Sequence, residues 1–117
     1  MMLPLNLKNT LGLRQHDCET MTELRVEIDT LDQKIVELLT LRRSYMEQAA
    51  RIKQDRDTVR DEARVKDVIN KVSDHAAKVG GNPDLVSSLY EIMIEWSINY
   101  EFDQFDKLKP DQRGKVD

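Results

Sequence analysis

The chain has 117 residues, of which 39% are hydrophobic and 34% are charged, and its formal net charge is −4. A chain of this length fits a single domain with a modest core. The acidic balance argues against nucleic acid or an anionic membrane surface as the main partner, because both select a basic protein surface.

A single cysteine, Cys18, leaves no internal disulfide to form and is typical of a reducing compartment. The sequence has no apolar run long enough to predict a signal peptide or a membrane-spanning helix. We therefore expect a cytoplasmic protein.

Residues 1–19 lack helical phasing and contain Pro4 and Gly12, which predicts a flexible N-terminal arm. His16, Asp17 and Cys18 follow one another directly, so they cannot all converge on one tetrahedral ion. No metal site is predicted.

Residues 20–53 predict one very long helix that begins with a capping box of Thr20 and Glu23. Its apolar seam recurs at steps of four and three, at Leu24, Ile28, Leu31, Ile35, Leu38, Tyr45, Ala49 and Ile52. Arg42 occupies one position of this seam, where a guanidinium needs an anion to avoid a costly unpaired charge. At ~1.5 Å per residue the helix would be about 50 Å long, which exceeds a compact fold of this size. We therefore expect the seam to continue into a second copy of the chain.

The next eleven residues, QDRDTVRDEAR, look too polar to bury and predict a loop. Asp61 is the expected N-cap of a second helix that runs to about Lys78. Its apolar stripe consists of Val65, Val68, Ile69, Val72, Ala76 and Val79. Gly80 and Gly81 predict a left-handed stop.

Asn82 as N-cap and Pro83 at the first helical position predict a third helix to about Lys107. It has two apolar faces, one with Leu85, Leu89, Ile92 and Trp96, the other with Val86, Tyr90 and Met93 leading into Ser97 and Glu101. Residues 109–117 predict a disordered tail. No segment alternates as a strand does, so the fold class is all-α with one helical domain over residues 20–108.

Cations mark the candidate site. Arg42 and Lys53 are eleven residues apart, close to three helical turns, and so project from one side of the first helix. Arg64 can join them if the loop folds the second helix back. Arg25 is about 25 Å from Arg42 along the axis, so its natural route to the same site is from a partner helix. Cations gathered in an acidic protein predict a small anionic ligand, with carboxylates that guanidinium groups can grip.

Three stretches of the sequence, LRVEIDTLDQKIVELLTLRRSYMEQAARIK, VRDEARVKDVI and GGNPDLVSSLYEIMIEWSINYE, closely resemble the all-helical chorismate mutase family, including its isochorismate-pyruvate lyase branch. The resemblance covers about residues 18–105. It implies three helices per chain in an intertwined homodimer, and an enzyme of aromatic amino acid biosynthesis that rearranges chorismate to prephenate without a cofactor.

The resemblance also implies roles for single residues. Arg42, Lys53 and Arg64 would grip the substrate carboxylates and the ether oxygen, and Arg25 would reach in from the other protomer. Asp61 and Ser97 fall on substrate-contacting positions. Glu101 stands where bacterial mutases typically carry glutamine, and we expect it to act beside Lys53 as a neutral acid at the ether oxygen.

Two alternatives stay open. Val65 stands where housekeeping mutases carry a glutamate, and Asp17-Cys18 precedes Arg25 as in the lyase branch, so elimination of pyruvate from isochorismate to give salicylate is the second enzymatic hypothesis. Outside enzymology, the chain could be a helical dimer that scaffolds partners, with cations that serve only ion pairs.

Overall fold

The computed structural model describes residues 17–108, which form three α-helices, a short 3₁₀ turn and no strand. The helices are α1 (Met21–Ile52), α2 (Glu62–Lys78) and α3 (Pro83–Lys107), and the 3₁₀ turn (Arg56–Thr58) lies between α1 and α2. The predicted all-α class with one very long helix is confirmed. The predicted arm up to residue 16 and the predicted tail from residue 109 lie outside the described residues.

The fold is elongated, with a longest dimension of 57 Å and two shorter ones of 25 and 22 Å. α1 accounts for most of that length, because its 32 residues span about 48 Å at ~1.5 Å each. Within residues 17–108 no helix combines the length and apolarity needed to cross a membrane.

Each helix begins at the predicted cap: Thr20, Asp61 and Asn82 all accept a hydrogen bond from a first-turn backbone N–H. The predicted capping box is only half formed. Thr20 Oγ1 accepts from the N–H of Glu23 at 3.1 Å, but the Glu23 carboxylate accepts from the N–H of Glu19, not from that of the cap residue.

The predicted glycine stop joins α2 to α3 in a tight turn. Gly80 has φ = 76°, a left-handed conformation that glycine adopts without steric cost. The N–H of Gly81 donates to the carbonyl of Ala76 at 2.8 Å, and that of Gly80 donates to Ala77 at 3.3 Å, which is the Schellman pattern. The turn therefore folds α3 back along α2.

α3 packs against both other helices and carries most of the buried side chains. Its buried residues are Ile94, Ser97, Ile98, Glu101 and Phe105. Ala50 of α1 and Val59 of the loop complete the core, and Val65, Val68 and Ile69 of the predicted α2 stripe pack against it. The α3 face that leads into Ser97 and Glu101 is thus the one turned toward the chain's own core.

The other apolar face of α3 is open to solvent, since Leu85, Leu89, Ile92 and Trp96 are 54–72% exposed. Much of α1 is open as well. Every residue from 21 to 41 is exposed, including the seam residues Leu24, Ile28, Leu31, Ile35 and Leu38 at 37–47%. α1 also packs against α3, and Ala50 near its C-terminus is fully buried.

Candidate active site

Arg42 of α1 is in contact with α3. Its Nη1 donates a hydrogen bond to Ser97 Oγ at 3.0 Å, and its guanidinium carbon lies 5.7 Å from the centroid of the Tyr90 ring. Ser97 is only 5% exposed, so a polar hydroxyl is buried in order to meet this arginine. The remaining guanidinium donors stay available, because a guanidinium carries five N–H groups. Arg42 is therefore a half-buried cation held at one edge and open to an anion at the other.

Lys53 forms the second cationic position, at the residue that caps the C-terminus of α1. Its Nζ donates to Glu101 Oε2 at 2.7 Å and to the carbonyl of Val59 at 3.3 Å. The Glu101 side chain is 6% exposed and that of Lys53 is 29% exposed. The pair is therefore shielded from water, and each partner offsets part of the cost of burying the other.

The two pairs are neighbours in the structure. Ser97 and Glu101 are four residues apart on α3, so their side chains lie on the same face about 6 Å apart along the axis. Arg42 and Lys53 approach this face from α1. The structure thus brings together four predicted site residues, two cations and two acceptors, on neighbouring faces of α1 and α3.

An apolar groove of about 800 Å³ lies beside Arg42, between the middle of α1 and α3. Its lining includes Ile35, Leu39, Leu89, Met93 and Trp96. The groove takes in Arg42 and Ser97, whereas Lys53 and Glu101 do not line it. It is therefore a neighbour of the cationic site, and its apolar walls do not resemble a pocket for a small dianion.

The other three predicted site residues lie apart from these two pairs. Arg64 donates to Asp67 Oδ2 at 2.5 Å with its side chain 61% exposed, and this bond contributes to lowering the pKa of Asp67, after the larger contribution of Lys71. Asp61 uses its carboxylate to cap α2. Arg25 is exposed on the open half of α1, seventeen residues before Arg42. Within residues 17–108, neither Arg25 nor Arg64 is bonded to Lys53 or Glu101.

The loop corrects one prediction. The segment after Lys53 was expected to be too polar to bury, yet Val59 is only 3% exposed and belongs to the core. Val59 is an isolated apolar residue among charged ones. Its side chain anchors the loop in the core.

Two contributions to the site were missed from the sequence. One is the backbone carbonyl of Val59, which accepts from Lys53. The other is the ring of Tyr90 beside Arg42, which was assigned only to an apolar face. A signal existed for Tyr90, because it precedes Ser97 by seven residues and so lies two turns away on the same face. No sequence signal points to a particular carbonyl.

Comparison with known proteins adds the family. A family model described as chorismate mutase type II matches residues 24–102, which is more than half of the chain and includes α1 from its first turn through most of α3. Among curated proteins, no sequence matches the chain.

Proposed function

The chain belongs to the chorismate mutase type II family, and on this premise we propose that it rearranges chorismate to prephenate at the cationic site where Arg42 and Lys53 of α1 face α3. The observation that carries the proposal is the convergence of Arg42 and Lys53 on Ser97 and Glu101, deep in an acidic protein. Two half-buried cations there favour an anionic ligand.

The reaction we propose is pericyclic: the ether C–O bond breaks while a new C–C bond forms, and no proton or covalent intermediate is needed. The protein's part is to bind the compact substrate conformer and to stabilise the charge that grows on the ether oxygen. Arg42 would hold a carboxylate with its free donors. Lys53 is the proposed cation at the ether oxygen, since the Glu101 and Val59 oxygens already fix its ammonium.

Glu101 is the proposed second donor at that oxygen, acting as a neutral acid. Its Oε2 accepts from Lys53, so the other carboxyl oxygen is the atom that would carry the proton. The expected consequence is that activity is lost in the ionised form of Glu101, because a carboxylate has no proton to donate. Glu101→Gln keeps the shape and donates at every pH, so its profile of kcat/KM against pH should be flatter and higher at alkaline pH. Identical profiles for the two proteins would remove Glu101 from this role.

The position of Arg25 argues for a second copy of the chain. It lies about 25 Å along α1 from Arg42 at ~1.5 Å per residue, so it does not reach the cationic site from the same chain. We propose that Arg64 leaves Asp67 to bind substrate, that Asp61 at the start of α2 contacts it, and that Arg25 enters from a partner protomer. The exposed seam of α1 and the apolar groove are the surfaces that such an intertwined homodimer would cover.

The lyase reaction on isochorismate is the second candidate. It is favoured by Val65, which is packed against the core and offers no polar group where the resemblance places a glutamate that contacts the ring hydroxyl of the substrate.

The test is to incubate the purified protein with chorismate and, separately, with isochorismate, and to identify the products. We expect prephenate from the first incubation. Salicylate and pyruvate from the second, without prephenate from the first, would reverse the assignment. No product and no binding of either compound would favour the scaffold hypothesis, in which the cations serve ion pairs alone.

A further inference from the structure

Two arginines of the loop between α1 and α2 are each held by a carboxylate of α3 through two hydrogen bonds. Arg56 donates to Asp106 at 2.9 and 3.2 Å, and Arg60 donates to Glu95 at 3.1 and 2.6 Å. Two parallel hydrogen bonds between one guanidinium and one carboxylate fix orientation as well as distance. Glu95 and Asp106 are eleven residues apart, close to three turns, so both lie along one side of α3.

Further contacts reinforce both pairs. The guanidinium of Arg56 lies 4.5 Å from the ring centroid of Phe102, between the two carboxylates along α3. Arg60 also donates to Glu62, at 3.2 Å, in the first turn of α2. The hydrogen bonds that Arg60 donates lower the pKa of Glu95, and the hydrogen bonds that Arg56 donates to Asp106 raise the pKa of Arg56. The loop is thus fastened at both of its ends to the same helix that carries Glu101.

Val59 lies between the two fastened points. Its side chain is inserted into the core, and its carbonyl accepts from Lys53 Nζ at 3.3 Å. Lys53 has left the helix, with φ −65° and ψ 140°, so the helix does not by itself direct its side chain. The path of the loop therefore decides where the Val59 carbonyl, and with it the Lys53 ammonium, is placed.

We propose that Arg56–Asp106 and Arg60–Glu95 are positioning pairs that hold the loop so that the Val59 carbonyl and Glu101 aim Lys53 at the substrate. This inference rests on the proposed function, because it assigns the pairs a purpose through Lys53. Isolated surface ion pairs contribute little to stability. The pairs here are placed to restrict one short loop, so their effect falls on catalytic geometry more than on the free energy of unfolding.

The test uses the double variant Glu95→Gln/Asp106→Asn, which removes both carboxylate charges and keeps side-chain size and both arginines. Its matched control is Glu91→Gln/Asp103→Asn, which makes the same change at two other exposed carboxylates of α3. Amide hydrogen exchange is followed at Thr58 and Val59, whose N–H groups donate within the loop to Asp55 and Arg56. Thermal midpoint, kcat and KM are measured on the same samples.

In the double variant we expect faster exchange at the two loop amides, a kcat lower by about tenfold and a KM changed much less, because misplacing a catalytic group costs rate more than binding. The thermal midpoint and the control variant should stay close to wild type. Unchanged amide hydrogen exchange at Thr58 and Val59 would show that the two pairs do not hold the loop. Faster exchange with an unchanged kcat would show that holding the loop does not serve catalysis. A wild-type protein inactive on both substrates would instead refute the proposed function, and with it this role for the pairs, while the exchange data would still report on the loop.

Discussion

The two halves of α1 lie in different surroundings. From Arg42 onward the helix packs against α3, and Arg42 and Lys53 find partners within the chain. From residue 21 to residue 41 every side chain is exposed, although the seam there is apolar. A solvent-facing helix is normally polar on its open side. The difference teaches that α1 finds partners within the chain from Arg42 onward, whereas its apolar seam over residues 21–41 stays exposed, as the proposed homodimer requires.

Arg42 marks the boundary between the halves, and its loss should have the largest effect. Arg42→Ala removes the donors aimed at a carboxylate, so we expect kcat/KM to fall by about 10²–10³. The fold should survive, since deleting a half-buried charge relieves its desolvation. Circular dichroism tests whether the fold survives, and steady-state kinetics measure kcat/KM. Arg51→Ala, an exposed arginine on the same helix, is the control, and near-wild-type turnover by Arg42→Ala would place the site elsewhere.

The half of α1 that packs against α3 is tested through the shielded pair of Lys53 and Glu101. Lys53→Met leaves Glu101 buried without its cation, and we expect a loss of about 3 kcal/mol in the free energy of unfolding. Lys53→Met/Glu101→Leu should recover most of that loss, because both buried charges are then replaced by apolar groups. Urea titrations of both variants provide the measurement. If Lys53→Met were as stable as wild type, the pair of Lys53 and Glu101 would contribute no more to stability than a solvent-exposed ion pair does.

The exposed half of α1, residues 21–41, is tested by complementation between two inactive variants. When inactive Arg25→Ala and Arg42→Ala chains are mixed in equal amounts, half of the dimers should be mixed and one of their two sites should carry neither lesion. About a quarter of wild-type activity is therefore expected for an interface with two-fold symmetry. Subunit exchange is verified by mass spectrometry. Verified exchange without activity would mean that Arg25 does not act across the interface.

The smallest effect should come from the solvated surface outside both halves. Hydrogen bonds from Lys71 and then Arg64 hold the pKa of Asp67 below its usual 3.8 in the folded chain. A lowered folded-state pKa contributes stability above the unfolded value, and that contribution is lost as pH falls through the folded value. Asp67→Asn should therefore lower the thermal midpoint slightly at neutral pH, and the difference should shrink below pH 3.8. A difference that grew on acidification would contradict the pairing.

The helix ends could be read from the sequence because the signals are local. Thr20, Asp61 and Asn82 cap helices within three residues of themselves, and Gly80 supplies a backbone conformation that other residues avoid. Which apolar face of α3 would be buried could not be read. Both faces have helical periodicity, and periodicity does not distinguish a chain's own core from a surface left for a partner.

Four of the seven predicted site residues lie together in the structure, but the bonds between them could not be predicted from the sequence. Arg42 interrupts an apolar seam, which marks it as unusual, and Lys53 follows at three turns. The bond from Lys53 to Glu101 spans 48 residues and depends on how α3 returns along α1. The burial of Val59 could not be predicted, because a single apolar residue in a charged loop forms no periodic pattern. Arg64 pairs with Asp67, because a carboxylate one turn away competes with any distant ligand.

The order of the three helices along the chain has a kinetic consequence for the site. α2 and α3 are joined by a four-residue turn and can pair through local contacts, whereas the α1 contacts close loops of 48 and 55 residues. Distant contacts carry a larger closure entropy and form later in folding. We therefore expect the α2–α3 hairpin to assemble first and α1 to dock last, so that Lys53 meets Glu101 only in the final step. If the proposed function holds, a chain whose α1 has not yet docked would be inactive.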